Sequence, residues 1–241
     1  MERLNPQHKK LMKKIIHALT IIDKSSSMES FRGRTIEGIN SSLSGLRKEV
    51  DENTTILNTL LQFSVPNSLQ RYGLQHGTDV FDKKFVFSHV GKPVTTLSDL
   101  TEKDYLPDGG TPLLDAIGYG IEKVKEFHGD SLGSDNLKII VTIFTDGEEN
   151  SSTKWNKDEI KKKIDYYQSD GKWTFTFVGC GSLKNVTNTS GMLGITSANT
   201  VAYSATDSGT AEAYGKISTS YMNFAQSTKR GVVDNDLFAE K

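Results

Sequence analysis

Residues 15–27 read IIHALTIIDKSSS, an apolar run that stops abruptly at a charged and hydroxyl-rich segment. The run from Ile15 to Ile22 is rich in β-branched residues and shows no regular polar alternation, which is typical of a strand covered on both faces. Strands of that kind lie in the middle of parallel sheets. The sequence therefore predicts a central strand here, with Asp23 just beyond its carboxyl end.

Helical and strand patterns alternate along the rest of the chain. Apolar residues at steps of 3, 4, 3 and 4 from Ile36 to Val50 predict an amphipathic helix over about 29–51. The same reasoning predicts further helices over 112–128, 157–168 and about 209–224, and strands over 54–65, 84–90, 137–144, 173–178 and 201–203. This alternation indicates a three-layer α/β fold, with a mostly parallel sheet and helices on both faces.

The composition is that of one globular domain. The 241 residues carry 29 Lys and Arg against 30 Asp and Glu, so a net charge of −1 argues against binding nucleic acid or a membrane by bulk electrostatics. The single Cys180 excludes an internal disulfide and favours the cytoplasm. We expect an N-terminal extension over 1–14, one domain over 15–227 and a polar tail over 228–241, with both ends frayed.

Oxygen-bearing side chains gather in three loops next to predicted element ends. Ligands of parallel α/β sheets bind beyond the carboxyl ends of the strands. Carboxylates and hydroxyls without thiolate or imidazole suit a hard divalent cation, Mg²⁺ first, with Mn²⁺ and Ca²⁺ as alternatives. The candidate ligands are Asp23, Ser25, Ser27, Thr111 and Asp146.

Several of these residues also have an ordinary structural explanation. Ser27 or Ser30 is a candidate cap for the helix that follows, and Asp146 with Gly147 is a candidate turn. Thr111 before Pro112 has the form of a helix start, with Thr as the cap and Pro at the first helical position. The occurrence of all three segments in order, each at the expected element end, favours the metal site.

Three acidic residues near these loops are left outside the predicted ligand set. Asp115 either supports the site from behind or interacts with the dipole of its helix, because it lies in the first helical turn. Glu148 and Glu149 are expected to be solvated.

The three segments together resemble the von Willebrand factor type A domain. They are Asp23-x-Ser25-x-Ser27, the Gly-Gly-Thr-Pro-Leu-Leu-Asp stretch that ends at Asp115, and Phe-Thr-Asp-Gly around Asp146, and the resemblance covers roughly residues 15–225. It implies a Rossmann-like six-stranded sheet of order 3-2-1-4-5-6 with the third strand antiparallel. It also implies a metal-ion-dependent adhesion site made of the five candidate ligands, completed by a carboxylate of a protein partner. Ser26 departs from the family pattern, in which Gly is common.

The function implied by the resemblance is Mg²⁺-dependent binding of a protein partner, with no catalytic residues. The form of the motifs is similar to intracellular bacterial and phage members. One alternative is a metal-dependent phosphatase of the haloacid-dehalogenase-like type, in which a strand-terminal Asp such as Asp23 is the nucleophile. Ser25 then stands where that chemistry needs a second acid. The other alternative is a structural scaffold without metal.

Overall fold

A six-stranded sheet forms the centre of the computed structural model, which describes residues 13–72, 78–146, 148–204, 206–232 and 236–238. The strand order is β3-β2-β1-β4-β5-β6, and every neighbouring pair is parallel except the antiparallel β2 and β3. The strands are β1 Lys14–Asp23, β2 Thr54–Phe63, β3 Phe85–Pro93, β4 Leu137–Thr145, β5 Trp173–Cys180 and β6 Thr200–Tyr203. The predicted three-layer α/β fold, the strand order and the antiparallel third strand are all confirmed.

The strand β1 is the central strand that its apolar run predicts. It pairs along its length with β2 on one side and with β4 on the other. Its residues from Ile16 to Asp23 are all buried. Because helices cover both faces of the sheet, every side chain of this segment meets protein rather than water, so no polar alternation is needed.

Helices cover both faces of the sheet and enclose two hydrophobic cores. On one face, α1 and α7 pack over Ile16, Ala18 and Ile22. On the other, α4 and α5 pack over Leu19 and Ile21. The helices are α1 Arg32–Lys48, α2 Asn67–Tyr72, α3 Thr78–Lys84, α4 Leu113–His128, α5 Lys157–Gln168, α6 Leu183–Met192 and α7 Asp207–Lys229.

Three of these helices, α2, α3 and α6, lie where the sequence predicts none. The first two span less than two turns, which is too short for a helical period to show. The α6 sequence LKNVTNTSGM is rich in residues of low helix propensity. Its start is capped by the Ser182 side chain, and Val186 and Ser190 are buried, so tertiary contacts stabilise a helix that local preference disfavours.

The chain also differs from prediction around its first helix and at its end. A 3₁₀ helix over Ser26–Phe31 precedes α1, so the α-helix begins later than predicted. The fraying predicted for 228–241 is not found in the described part of that range, since α7 runs to Lys229 and Leu237 is buried, while 233–235 and 239–241 lie outside the described residues. The Leu237 N–H donates to Asn199 Oδ1 at 2.9 Å, and its carbonyl accepts from the Ser220 hydroxyl at 3.0 Å.

Most of the predicted N-terminal extension, residues 1–12, lies outside the described residues. None of the helices that the structure describes is long and apolar enough to span a membrane.

Candidate metal site

Asp23 ends β1 and is completely buried, with both carboxylate oxygens held in place. Its Oδ1 accepts a hydrogen bond from the Ser25 N–H at 2.7 Å, and its Oδ2 accepts one from the Thr145 hydroxyl at 2.6 Å. The Tyr105 hydroxyl donates to the Asp23 carbonyl at 2.6 Å. The carboxylate is therefore oriented by the neighbouring strand β4 and by its own loop, while the loop before α4 holds the Asp23 backbone.

Ser25, Ser27 and Asp146 continue from Asp23 toward the surface. The Ser25 and Ser27 hydroxyl oxygens are 3.1 Å apart, and the Ser27 hydroxyl donates to Asp146 Oδ1 at 2.8 Å. Ser25 is buried, Asp146 is half-buried and Ser27 is exposed. The carboxyl ends of β1 and β4 thus bring four of the five candidate ligands into one hydrogen-bonded group that runs from a buried floor to an open rim.

The fifth candidate, Thr111, lies in the second loop, which is hydrogen-bonded to both the first and the third loop. Ser26 and Gly109 are joined by two hydrogen bonds: the Ser26 N–H donates to the Gly109 carbonyl at 3.0 Å, and the Gly109 N–H donates to the Ser26 hydroxyl at 2.7 Å. On the other side, the Thr111 N–H donates to Asn150 Oδ1 at 2.9 Å. Ser26, the departure from the family pattern, therefore links the first and second loops through its side chain.

No hydrogen bond joins the Thr111 side chain to the other four candidates within the described ranges, although Thr111 is buried in the adjoining loop. The helix-capping explanations do not hold. The residue directly before α4 is Pro112, not Thr111, and it makes no side-chain capping bond. Ser25, before the 3₁₀ helix, and Phe31, before α1, make no such bond either. Gly147, the second half of the proposed turn, lies outside the described residues.

Burial shifts the acidity of both carboxyl groups. It raises the pKa of Asp23 to about 6, because desolvation outweighs the hydrogen bonds from Thr145 and Ser25, and the nearby charge of Asp146 acts in the same direction as burial. Burial also raises the pKa of Asp146. A cation beside these groups would favour their ionised forms.

Asp115 and Glu149 hold the second and third loops together. The carboxylate of Asp115 is almost fully buried and accepts the backbone N–H groups of residues 153, 154 and 155 at 2.8, 2.9 and 3.0 Å. Glu149 in return accepts the Leu114 N–H at 2.9 Å, one of the donors that the first turn of a helix leaves without an intrahelical partner. The expectation that Glu149 is solvated is therefore wrong, whereas Glu148 is exposed as predicted.

The contacts that orient the site were largely missed from sequence. For Thr145, the sequence offers one signal: it stands at a predicted strand end, directly before Asp146. Tyr105 and Asn150 stand in irregular loops and reach their partners only through the fold. Sequence spacing carries no information about such contacts.

The donor set suits a hard divalent cation. Among the described residues, no group of three or more His, Cys, Asp and Glu side chains is placed to hold a metal ion. The group at the ends of β1 and β4 consists of two carboxylates and hydroxyls, which are the ligands of Mg²⁺, Mn²⁺ and Ca²⁺. Its outer members, Ser27 and Asp146, are accessible from solvent.

The comparisons with known proteins bear on the fold. No protein-family model matches the sequence, and no curated protein matches it. A von Willebrand factor type A structure from Catenulispora acidiphila superimposes with a TM-score of 0.56 at 12% identity, over 87% of this chain and 43% of that one. The pilus adhesin SpaC of Lactobacillus rhamnosus GG, in its open conformation, gives 0.57 at 13% identity, over 91% of this chain and 30% of that one.

A third structure matches over nearly its whole length. It is the vWF domain of the type V pili tip protein Mfa5 from Porphyromonas gingivalis, with a TM-score of 0.52 at 8% identity, over 92% of this chain and 97% of that one. The chain thus spans less than half of the first two proteins and almost all of this domain. At sequence identities this low, structural similarity establishes the fold alone. The fold of this chain is that of the von Willebrand factor type A domain.

Proposed function

We propose that this chain is a protein-interaction module that binds a carboxylate of its partner through a divalent cation, Mg²⁺ in the first instance. The residues proposed to hold the cation are Asp23, Ser25, Ser27, Thr111 and Asp146. The observation that carries the proposal is the bond between Ser27 and Asp146, because it joins two oxygen-rich loops at the carboxyl ends of β1 and β4. That edge of a parallel sheet is where ligands of such folds bind.

The charges of these residues explain why a carboxylate is the expected partner group. When bound, the cation would supply a point of positive charge that attracts an anionic oxygen. Asp23 and Asp146 balance a 2+ charge, and the serine and threonine hydroxyls are neutral. Ser27 and Asp146 stand at the accessible rim, where a residue from another molecule can approach.

The phosphatase alternative is poorly supported by the surroundings of Asp23. A nucleophile must contact its substrate, yet Asp23 is completely buried and both of its carboxylate oxygens accept hydrogen bonds. A cation is much smaller than a phosphate ester, and each Asp23 carboxylate oxygen keeps a second lone pair with which to bind it. Ser25 also occupies the place where that chemistry requires an acid. We therefore propose a non-enzymatic role.

We also propose a reducing, cytoplasmic setting, as in the bacterial and phage proteins whose motifs this sequence resembles. The free and half-buried Cys180 supports this.

The proposal is tested by isothermal titration calorimetry of Mg²⁺ with the wild type, Asp23→Asn and Asp146→Asn. Glu148→Gln is the matched control, since it removes a charge two residues from Asp146 without touching a proposed ligand. We expect the wild type and the control to bind Mg²⁺ and both Asn variants to lose binding. Equal Mg²⁺ binding by all four proteins would contradict the assignment of the ligands. No binding by the wild type, together with no effect of Mg²⁺ or Mn²⁺ on its melting temperature, would favour the metal-free scaffold.

A further inference from the structure

Two cavities lie beside the candidate metal site and share part of their lining. The first has a volume of about 190 Å³ and is lined by residues that include Asp146, Cys180 and Asn185. The second has a volume of about 220 Å³ and lies between the start of α4 and the end of α6. Glu148 and Thr189 line both cavities, so the two lie side by side, and together they are called the groove between Asp146 and α6.

The far end of this groove is apolar. Leu113 and Leu114 of α4 form one side, and Met192 and Leu193 of α6 form the other. Three of these side chains are buried, but Met192 is 55% exposed and stands at the edge of the cavity. A large apolar side chain left in water beside a cavity of this size is a favourable contact for another apolar group.

The charge in the groove is mainly negative. Glu149 is committed to its own loop, where its carboxylate accepts N–H groups of Leu114, Ser151 and Ser152. Glu148 is exposed and forms no hydrogen bond or ion pair with the residues that the structure describes, and it lies where the two cavities meet. Lys157 is at the apolar end, with its Nζ 4.0 Å from Met192 Sδ. A basic group of a partner is therefore favoured at Glu148.

We propose that this groove receives an extended segment of the partner protein, in which an aliphatic side chain enters the cavity beside Met192 and a basic side chain faces Glu148. The inference rests on the proposed function for the remaining contact, the carboxylate of the same segment at the metal site. Specificity then comes from the groove, since many proteins expose a carboxylate and far fewer present it next to a basic and an aliphatic residue.

The test uses short fluorescein-labelled Gly-Ser peptides that carry one Asp, one Lys and one Leu. The Asp and the Leu are separated by one to about five residues in either order. In an extended chain of roughly 3.3 Å per residue, these spacings set the two residues about 7 to 20 Å apart. Matched peptides replace Leu by Ser or Asp by Asn. Binding is measured by fluorescence anisotropy, with Mg²⁺ and with EDTA, to the wild type, Met192→Ser and Leu183→Ser. Leu183 is the control because it is 64% exposed on the same helix and does not line the groove.

We expect at least one spacing to bind, the Leu→Ser peptide to bind more weakly, and Met192→Ser to weaken binding about tenfold, while Leu183→Ser leaves it unchanged. Equal binding of the Leu and Ser peptides, or equal effects of the two protein variants, overturns the groove proposal. The proposal is also overturned if calorimetry shows that the protein binds Mg²⁺ and yet none of the peptides binds to it.

The same experiment separates this inference from the proposed function. If binding depends on Mg²⁺ and on the peptide Asp but not on the peptide Leu or on Met192, the result supports the proposed function and contradicts the groove proposal. Binding that needs Leu and Met192 but is unchanged by EDTA supports the groove and contradicts the metal-dependent function.

Discussion

Ser27 and Asp146, 119 positions apart in the chain, are joined by a hydrogen bond of 2.8 Å from the serine hydroxyl to the aspartate carboxylate. The two residues follow β1 and β4, which are neighbours in the sheet although β2 and β3 intervene in the sequence. The sheet thereby places a hydroxyl and a carboxylate from two loops within contact at its edge. This contact supports a common ligand for both loops.

The Ser27→Ala variant should separate metal binding from folding. Ser27 is exposed, so loss of its hydrogen bond should lower the free energy of unfolding of the metal-free protein by about 1 kcal/mol at most. The rise in melting temperature that Mg²⁺ produces should shrink, because a weaker ligand stabilises the folded state less. Thermal melts with and without Mg²⁺ measure both effects. Ser30→Ala, which changes an exposed serine of the same 3₁₀ helix, should melt as the wild type does.

Asp115→Ala should destabilise the fold strongly. The substitution leaves three backbone N–H groups without the buried carboxylate that now accepts them, and we expect the free energy of unfolding to fall by about 3 kcal/mol. Urea denaturation measures this change. Glu126→Gln, on the exposed side of the same helix, should cost less than about 0.5 kcal/mol. Similar unfolding midpoints for the two variants would contradict the assigned role of Asp115.

Gly109→Ala should be poorly tolerated for two independent reasons. Gly109 has a φ of +83°, a conformation that residues with a Cβ rarely adopt, and an added Cβ would lie 1.8 Å from the Val65 carbonyl oxygen. We expect a loss of more than about 2 kcal/mol in denaturation experiments. Gly133→Ala is the matched control, since an added Cβ there meets nothing within 4 Å. A Gly109→Ala protein as stable as the control would show that this loop adopts another conformation.

His17 should make the protein sensitive to acid. It is fully buried in β1, with Nδ1 2.7 Å from His128 Nε2 of α4 and Nε2 2.8 Å from the Thr59 hydroxyl of β2. Burial, followed by the nearby His128 and His89, lowers the pKa of His17 to about 3. Below the ordinary pKa of 6.5, the unfolded chain takes up a proton that the folded chain refuses, so stability falls as the pH decreases.

Between pH 7 and pH 5 this one group should cost about 2 kcal/mol of unfolding free energy. Urea denaturation at several pH values, with wild type and His17→Leu side by side, measures the effect as a difference, so that the contributions of titrating groups remote from His17 cancel. The variant is expected to be less stable at pH 7 but to lose less stability on acidification. Parallel pH curves for the two proteins would rule out this role for His17.

Much of the fold follows from local patterns in the chain. Ile15 to Ile22 has no polar alternation because both faces are covered, and the stripe from Ile36 to Leu46 indicates a helix because it packs along one side of the sheet. The helix over 157–168 is predicted at its observed bounds from its apolar spacing, and in the structure Asn156 and Glu159 form a capping box at its start. The α6 helix, in contrast, is invisible in the sequence because its residues favour other conformations until the fold buries Val186.

The sequence by itself determined the class of fold, the central place of β1 and the candidate ligands of the three loops, because each depends on residue types at short spacing. Only the tertiary structure decided that Thr145 and Tyr105 orient Asp23, that Ser26 joins Gly109, and that Asp115 and Glu149 lock the loops together. These contacts bridge residues far apart in the chain. Their distances depend on strand order and helix packing, which no local pattern encodes.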